Sequence, residues 1–313
     1  MKKLVYCHEI SFIRTIDSEP EIISSYAKIQ LEEDAFQLSL VNESIPNLCD
    51  GLVQVHQELS VLQILNSEVK TIDPGSLIIV PNLCLLKISY NLLTTIQSGV
   101  FNGIKVKEID LSNNFISTID DEAFDNITKL EVLKLNYNAI KEINPYWFRN
   151  SPNVYKLSII YNELTRIPAD AFKNLAKTRA LKLRLSANTI SEIDPNAFKE
   201  VSDIAILRLN GNKLTTLPAE LFTNRTIRVL EVNTNKLIYF PDEMSGSGLE
   251  KLEFLDNPTF NCTSLIKVKK FVEEKDVNIL YPSVICEDRA KEINLVFNFK
   301  KTYEIPLVLP TYT

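Results

Sequence analysis

LEVLKLNYNAIKEI, residues 130–143, is the stretch whose reading decides the fold. Leu130, Leu133 and Leu135 are followed by Asn138, then by Ile140 and Ile143. This spacing is neither the beat of an amphipathic helix nor the strict alternation of a half-buried strand. The same frame recurs along the chain. Aligned on the asparagine, Leu83, Leu86, Ile88, Asn91, Leu93 and Ile96 form one copy, and Val106, Ile109, Leu111, Asn114, Ile116 and Ile119 another. Further copies centre on Asn162, Asn188, Asn212, Asn235 and Asn257, so that eight asparagines recur every 22 to 26 residues. Phe101, Phe124, Phe148, Phe172, Phe198 and Phe222 each lie ten residues beyond their asparagine. Two weaker copies come earlier: Leu59, Leu62, Ile64, Val69 and Ile72, with Ser67 at the asparagine position, and Leu38, Leu40, Ile45 and Leu48.

In each copy the two leucines before the asparagine alternate on a short strand and point inward. One copy cannot bury that face alone, so successive copies must stack on one another. The chain then turns away inside the core, which exposes backbone N–H and C=O groups that need partners. An asparagine amide carries both donors and an acceptor. Placed at the same point of every turn, it predicts a structural ladder of side-chain hydrogen bonds. The phenylalanines predict a spine filling the other half of the core. Ile167-Pro168, Leu217-Pro218 and Phe240-Pro241 suit extended turns that need no N–H donor.

Over residues 36–261 the chain resembles the extracellular, typical class of leucine-rich repeat proteins. One such motif arises by chance; eight in register do not. The resemblance implies an α/β fold: a right-handed solenoid curved like a horseshoe, with a parallel β-sheet on its concave face and a cap at each end. Residues 1–35 read as the N-terminal cap, 36–261 as about ten turns, and 262–313 as the C-terminal cap and tail.

Length and composition allow this. The chain has 313 residues, 45% of them hydrophobic, and a formal charge of −6, which argues against a nucleic-acid partner. No apolar run is long enough to span a bilayer. MKKLVYCHEI at the start lacks the apolar core of a secretory leader, so the chain reads either as cytosolic or as one whose leader has been removed. The tail INLVFNFKKTYEIPLVLPTYT reads as a strand along the cap, a partner-binding segment, or the approach to a membrane anchor.

Cys7 and Cys49 bracket the N-terminal end, and Cys262 and Cys286 follow the last repeat. The resemblance implies disulfide-bonded caps, with NPTFNC (257–262) similar to the family's entry into the C-terminal cap. It departs from the family in having two cysteines there rather than four. The expected pairs are Cys262–Cys286, worth about 3 kcal/mol as a loop closure, and Cys7–Cys49. Cys84 is left over as a partly buried free thiol, an interchain bridge, or a competitor for Cys49. Asn42, Asn126 and Asn224 head glycosylation sequons, and Asn126 and Asn224 both lie twelve residues past their repeat asparagine, on one edge of the solenoid. Asn261, with cysteine in the middle of its sequon, is the least suited to carry a glycan. Together these features point outside the cell.

An enzyme is not expected. Only His8 and His56 are present as histidines, seven glycines leave little for a phosphate cradle, and no hydrolase, metal-binding or dinucleotide motif occurs. No cofactor or metal is implied. Binding is expected on the outward strand positions. The residue between the two leucines reads Gln63, Lys87, Asp110, Lys134, Ser158, Arg184, Arg208, Glu231 and Glu253 down the array, basic in the middle and acidic at the C-terminal end. Lys156 and Lys182 add to the basic centre, and Tyr90, Tyr137 and Tyr161 line its edge. Tyrosine and arginine are enriched at binding hot spots. The expected ligand is a protein or glycan with an acidic surface, and oligomerisation is open. The resemblance favours a secreted recognition protein, similar to soluble immune leucine-rich repeat proteins of animals. The alternatives are the ectodomain of a receptor or adhesion protein, membrane-associated only through a lost anchor, and a structural matrix component.

Overall fold

A computed structural model of the chain describes residues 11–14, 21–24, 37–49, 59–77, 82–175, 180–280, 285–288 and 293–296. Cys7, both histidines, most of the N-terminal cap and the last residues of the tail lie outside these. One parallel sheet of 11 strands organises the molecule. Its strands are β1 (Gln37–Val41), β2 (Val61–Leu65), β3 (Leu85–Lys87), β4 (Glu108–Asp110), β5 (Val132–Lys134) and β6 (Lys156–Ser158), followed by β7 (Leu181–Arg184), β8 (Asp203–Arg208), β9 (Thr226–Glu231), β10 (Lys251–Glu253) and β11 (Asn278–Leu280). Each strand pairs only with its sequence neighbours. Register places equivalent residues side by side: Ile109, Leu133, Leu157 and Leu183 form one row.

Those rows are the core. Leu86, Ile88, Leu133, Leu135, Leu157 and Ile159 are fully buried, as are their counterparts in other turns. Behind them the aromatic spine is continuous over three turns: the rings of Phe101 and Phe124 stack at 5.6 Å, and those of Phe124 and Phe148 at 6.1 Å. Phe172 and Phe198 follow at 4.9 Å. The return side of each turn is irregular, with 3-10 turns at Lys173–Leu175, Ala219–Leu221 and Asp242–Gly246. Pro218 and Pro241 start two of these at φ −66° in extended backbone, which their rings favour.

The asparagines bind as their chemistry requires. Asn162 Oδ1 accepts the Ile140 N–H of the preceding turn at 3.0 Å. Its Nδ2 donates to Leu135 O of that turn and to Ile160 O of its own. Asn91, Asn114, Asn138, Asn188, Asn212, Asn235 and Asn257 repeat the scheme, with acceptor distances of 2.9–3.1 Å. Ser67 does a reduced version: its Oγ accepts Glu43 N–H and donates to Leu65 O.

The residue before each asparagine is left-handed in every turn: Tyr90, Asn113, Tyr137, Tyr161, Ala187, Gly211, Thr234 and Asp256 all have φ between 53° and 65°. This kink aims the asparagine inward, while the kinked residue's own N–H still bonds the next turn, as Tyr137 does to Ile160 O. Glycine at Gly211 takes this conformation freely; a β-branched side chain such as Thr234 does not.

At the C-terminal end, α1 (Cys262–Lys275) begins on Asn261, whose Oδ1 caps the Ser264 N–H at 2.7 Å. Asn261 thus has a helix-capping task of its own. The chain then returns as β11 and extends the sheet by one strand. Short antiparallel hairpins lie at either extreme, Ser11–Arg14 with Glu21–Ser24 and Ile285–Asp288 with Ile293–Val296. No helix among the described residues is long and apolar enough to cross a membrane.

Two stability outcomes follow from the turn. Asn162→Ala strands a buried N–H and buried carbonyls, and should cost about 3 kcal/mol or more in chemical denaturation. Thr234→Asn places a residue that tolerates the left-handed conformation where threonine is strained, and should raise stability by up to about 1 kcal/mol in the same assay.

Candidate functional site

The sheet's open face is built from positions flanking the buried leucines. It is less open than the pattern implies. Asp110, Ser158, Glu231 and Glu253 are buried, because neighbouring strands lie only about 4.8 Å apart and longer side chains close over short or paired ones. Two of the expected cations are neutralised. Lys134 Nζ lies 2.5 Å from Glu108 Oε1 and 3.9 Å from Asp110 Oδ2. Arg208 Nε lies 2.8 Å from Glu231 Oε2. Lys251 and Glu253 pair further along. The acidic end of the face is therefore largely matched by its own cations.

Between them sit Lys156, Lys182 and Arg184, all half-buried. Lys156 is opposite Lys182 in register, and Ser158 is opposite Arg184. Lys182 Nζ stands 5.7 Å from the centre of the Tyr155 ring. The Lys156 ammonium is held below the usual lysine range. Burial is the main cause, then Arg184 and Lys134, with Lys182 adding and Glu108 partly opposing.

At the edge of the face, the left-handed kink turns Tyr90, Tyr137 and Tyr161 outward, with 59%, 51% and 54% of their surface exposed. Tyr137 and Tyr161 belong to adjacent turns and stack at 4.6 Å with planes 13° apart. Tyr90 is not part of this stack; the turn between it and Tyr137 carries Asn113 in the same place. The sequence reading missed a second asparagine row. Asn136, Asn210 and Asn233 accept backbone N–H groups of the following turn, from Ile160, Asn233 and Leu255. Asn210 and Asn233 also donate to Glu231 and Glu253. The signal was visible as NxN at 136–138, 210–212 and 233–235.

Cys84 is a free thiol and is exposed, not partly buried as expected, because it stands at the open start of β3 with its Sγ 3.7 Å from Asn82 O. Cys49 and Cys262 are both disulfide-bonded; Cys7 and the side chain of Cys286 lie outside the described residues. Asn126 and Asn224 are exposed at left-handed turn positions. Asn42 is exposed in the first turn, its Oδ1 bonded by Asn66. No cluster of His, Cys, Asp and Glu fit to hold a metal occurs among the described residues.

A stacked parallel sheet with a broad polar face defines a repeat scaffold that offers a surface. Residues 104–156, 130–184 and 152–214 each match the leucine rich repeat family. Lumican of Gallus gallus is 30% identical over 139 residues, 43% of this chain and 39% of that protein. Leucine-rich repeats and immunoglobulin-like domains protein 2 of Homo sapiens is 32% identical over 92 residues, 29% of this chain and 9% of its own length. The chain thus spans well under half of these relatives. Among solved structures, a chain of the mouse RP105/MD-1 complex superposes with a TM-score of 0.66 at 20% identity, covering 80% of this chain and 44% of that one. A chain of the Drosophila Toll–Spatzle complex gives 0.63 at 22%, covering 71% and 30%. A chain of the TLR13–ssRNA13 complex gives 0.64 at 24%, covering 69% and 32%, so these likenesses lend no support to excluding nucleic acid. Residues 104–214 are thus similar to the leucine rich repeat family, and these solved structures share the stacked-repeat fold of the chain.

Because the folded state lowers the Lys156 pKa, the charged ammonium opposes folding at all pH values below that lowered pKa. As pH rises from there to the ordinary lysine value, the folded form sheds its proton first and stability rises. Lys156→Met should therefore melt higher than the unaltered protein at neutral pH. The difference should shrink on titration into the alkaline range.

Proposed function

We propose that the chain is a secreted recognition protein that binds a protein or glycan partner through the concave face of its sheet, in the manner of soluble immune leucine-rich repeat proteins. The observation that carries this is the stacked pair Tyr137–Tyr161 beside the cations of β6 and β7. Tyrosine is a poor choice for a left-handed position, where asparagine or glycine costs less. Two adjacent turns nonetheless hold exposed tyrosine there, and rigid amphipathic rings are what binding surfaces use. The Toll–Spatzle and RP105/MD-1 structures are complexes with protein partners, which supports a protein as the ligand here. Exposed sequons at Asn126 and Asn224 and disulfide-bonded Cys49 and Cys262 support an oxidising, extracellular setting. The cap bridges that suit it are Cys7–Cys49 and Cys262–Cys286.

A second reading, a structural matrix protein or the ectodomain of a cell-surface receptor, is favoured by the likeness to lumican and to leucine-rich repeat-containing G-protein coupled receptor 5 of Rattus norvegicus. Affinity capture from extracellular fluid separates these readings. The unaltered chain should retain a partner that the double variant Tyr137→Ala, Tyr161→Ala loses, with the two proteins melting within a few degrees of each other. Equal capture by both would remove the concave face as the site. Capture of the chain by itself would favour the structural role.

A further inference from the structure

Two pairs of cations face each other across neighbouring strands. Lys156 lies opposite Lys182, and Arg184 opposite Arg208. Like charges directly opposite each other destabilise a sheet. Arg208 is relieved by Glu231, and Lys134, on the strand before Lys156, by Glu108. Among the described residues Lys156, Lys182 and Arg184 make no ion pair, and what offsets them is weaker: Glu108 acts on Lys156 from two strands away, and Lys182 stands 5.7 Å from the Tyr155 ring. The Arg184 Nε is buried and makes no hydrogen bond. Three half-buried cations without an ion-pair partner are a cost to the fold, and the lowered pKa of Lys156, caused first by burial and then by Arg184 and Lys134, reports part of it.

Sheet geometry sets how these charges are grouped. Adjacent strands are about 4.8 Å apart, and residues two apart along a strand about 6.6 Å. Lys156, Lys182 and Arg184 thus attach within about 8 Å of one another, and their long side chains can converge on one spot. The grouping is bounded on both sides. Glu108 and Asp110 lie on β4, two strands before Lys156, while Glu231 and Glu253 lie on β9 and β10 beyond Arg208. Lys87 stands apart from the group, across β4.

We infer that Lys156, Lys182 and Arg184 form a compact receptor for a short acidic segment of a protein partner, one or two neighbouring carboxylates on an exposed loop. The inference rests on the concave-face function proposed above and specifies its ligand. An extended polyanion needs a continuous basic stripe. Laid across the strands, a sulfated polysaccharide or a nucleic-acid strand would run onto carboxylates on either side of this group. A short acidic loop reaches the three cations without touching them. Guanidinium and ammonium groups bind carboxylates through charge-assisted hydrogen bonds, which strengthen in such a half-buried setting. The neighbouring tyrosine pair supplies the apolar contact that a charged loop alone lacks.

Fluorescence anisotropy of the full chain tests this with two labelled probes, a peptide carrying three consecutive glutamates and a heparin dodecasaccharide. The peptide should bind, and the double variant Lys156→Gln, Arg184→Gln should weaken it at least tenfold. Lys107→Gln, at an exposed cation just before β4, should change it less than twofold. The double variant should melt no lower than the unaltered protein, since it removes repulsion, which separates lost binding from lost folding. Absence of peptide binding, or equal peptide affinity in the double variant, overturns the inference. So does tighter binding of heparin that falls with the same substitutions. If the natural partner is lost on changing Tyr137 and Tyr161 but retained by the Lys156, Arg184 variant, the concave-face function stands and this inference fails.

Discussion

The structure depends on one constraint: a chain that leaves a strand by turning into its own core must satisfy the backbone groups it exposes there. Each asparagine amide does this across two turns at once. Its Oδ1 takes an N–H of the turn before, and its Nδ2 returns hydrogen bonds to carbonyls of both turns. Because donor and acceptor belong to one rigid planar group, the bond to the previous turn fixes the bond within its own. Register is thereby set turn by turn. The leucine rows, the phenylalanine spine and the strand pairing inherit it.

Much of the fold was legible in the sequence because every term in it is local. A pattern such as Leu133, Leu135, Asn138 names two inward positions and one ladder position without knowledge of any distant residue. Stacking then needs only the next copy. The left-handed column was not legible, since Tyr137, Ala187, Thr234 and Asp256 share no chemistry; their φ values follow from the turn's geometry rather than from their own preference. Ser67 shows the opposite case. A non-consensus residue holds the position because a hydroxyl can imitate part of the amide's role.

The face was harder to read than the core. A column of letters ranks Lys134, Arg184 and Arg208 as equal cations. Side-chain geometry separates them, because Glu108 reaches Lys134 and Glu231 reaches Arg208, while Arg184 has only Ser158 on the strand before it. Neighbours across strands decide which charges remain available, and this needs the register in three dimensions. The tyrosines were legible as a group, but their stacking was not. It requires two adjacent turns, which Tyr137 and Tyr161 have and Tyr90 lacks.

The confinement of each feature to its own turn makes the array a ruler. The tyrosine pair spans the turns of β5 and β6, and the cations that lack an ion pair span β6 and β7. Gaining one whole turn between the cations of β6 and β7 and the Arg208–Glu231 pair of β8 and β9 would leave each intact and shift their separation by one strand spacing, about 4.8 Å. A descendant of this chain can thus retune the distance between contact points in discrete increments. It keeps the same asparagine joint at every graduation.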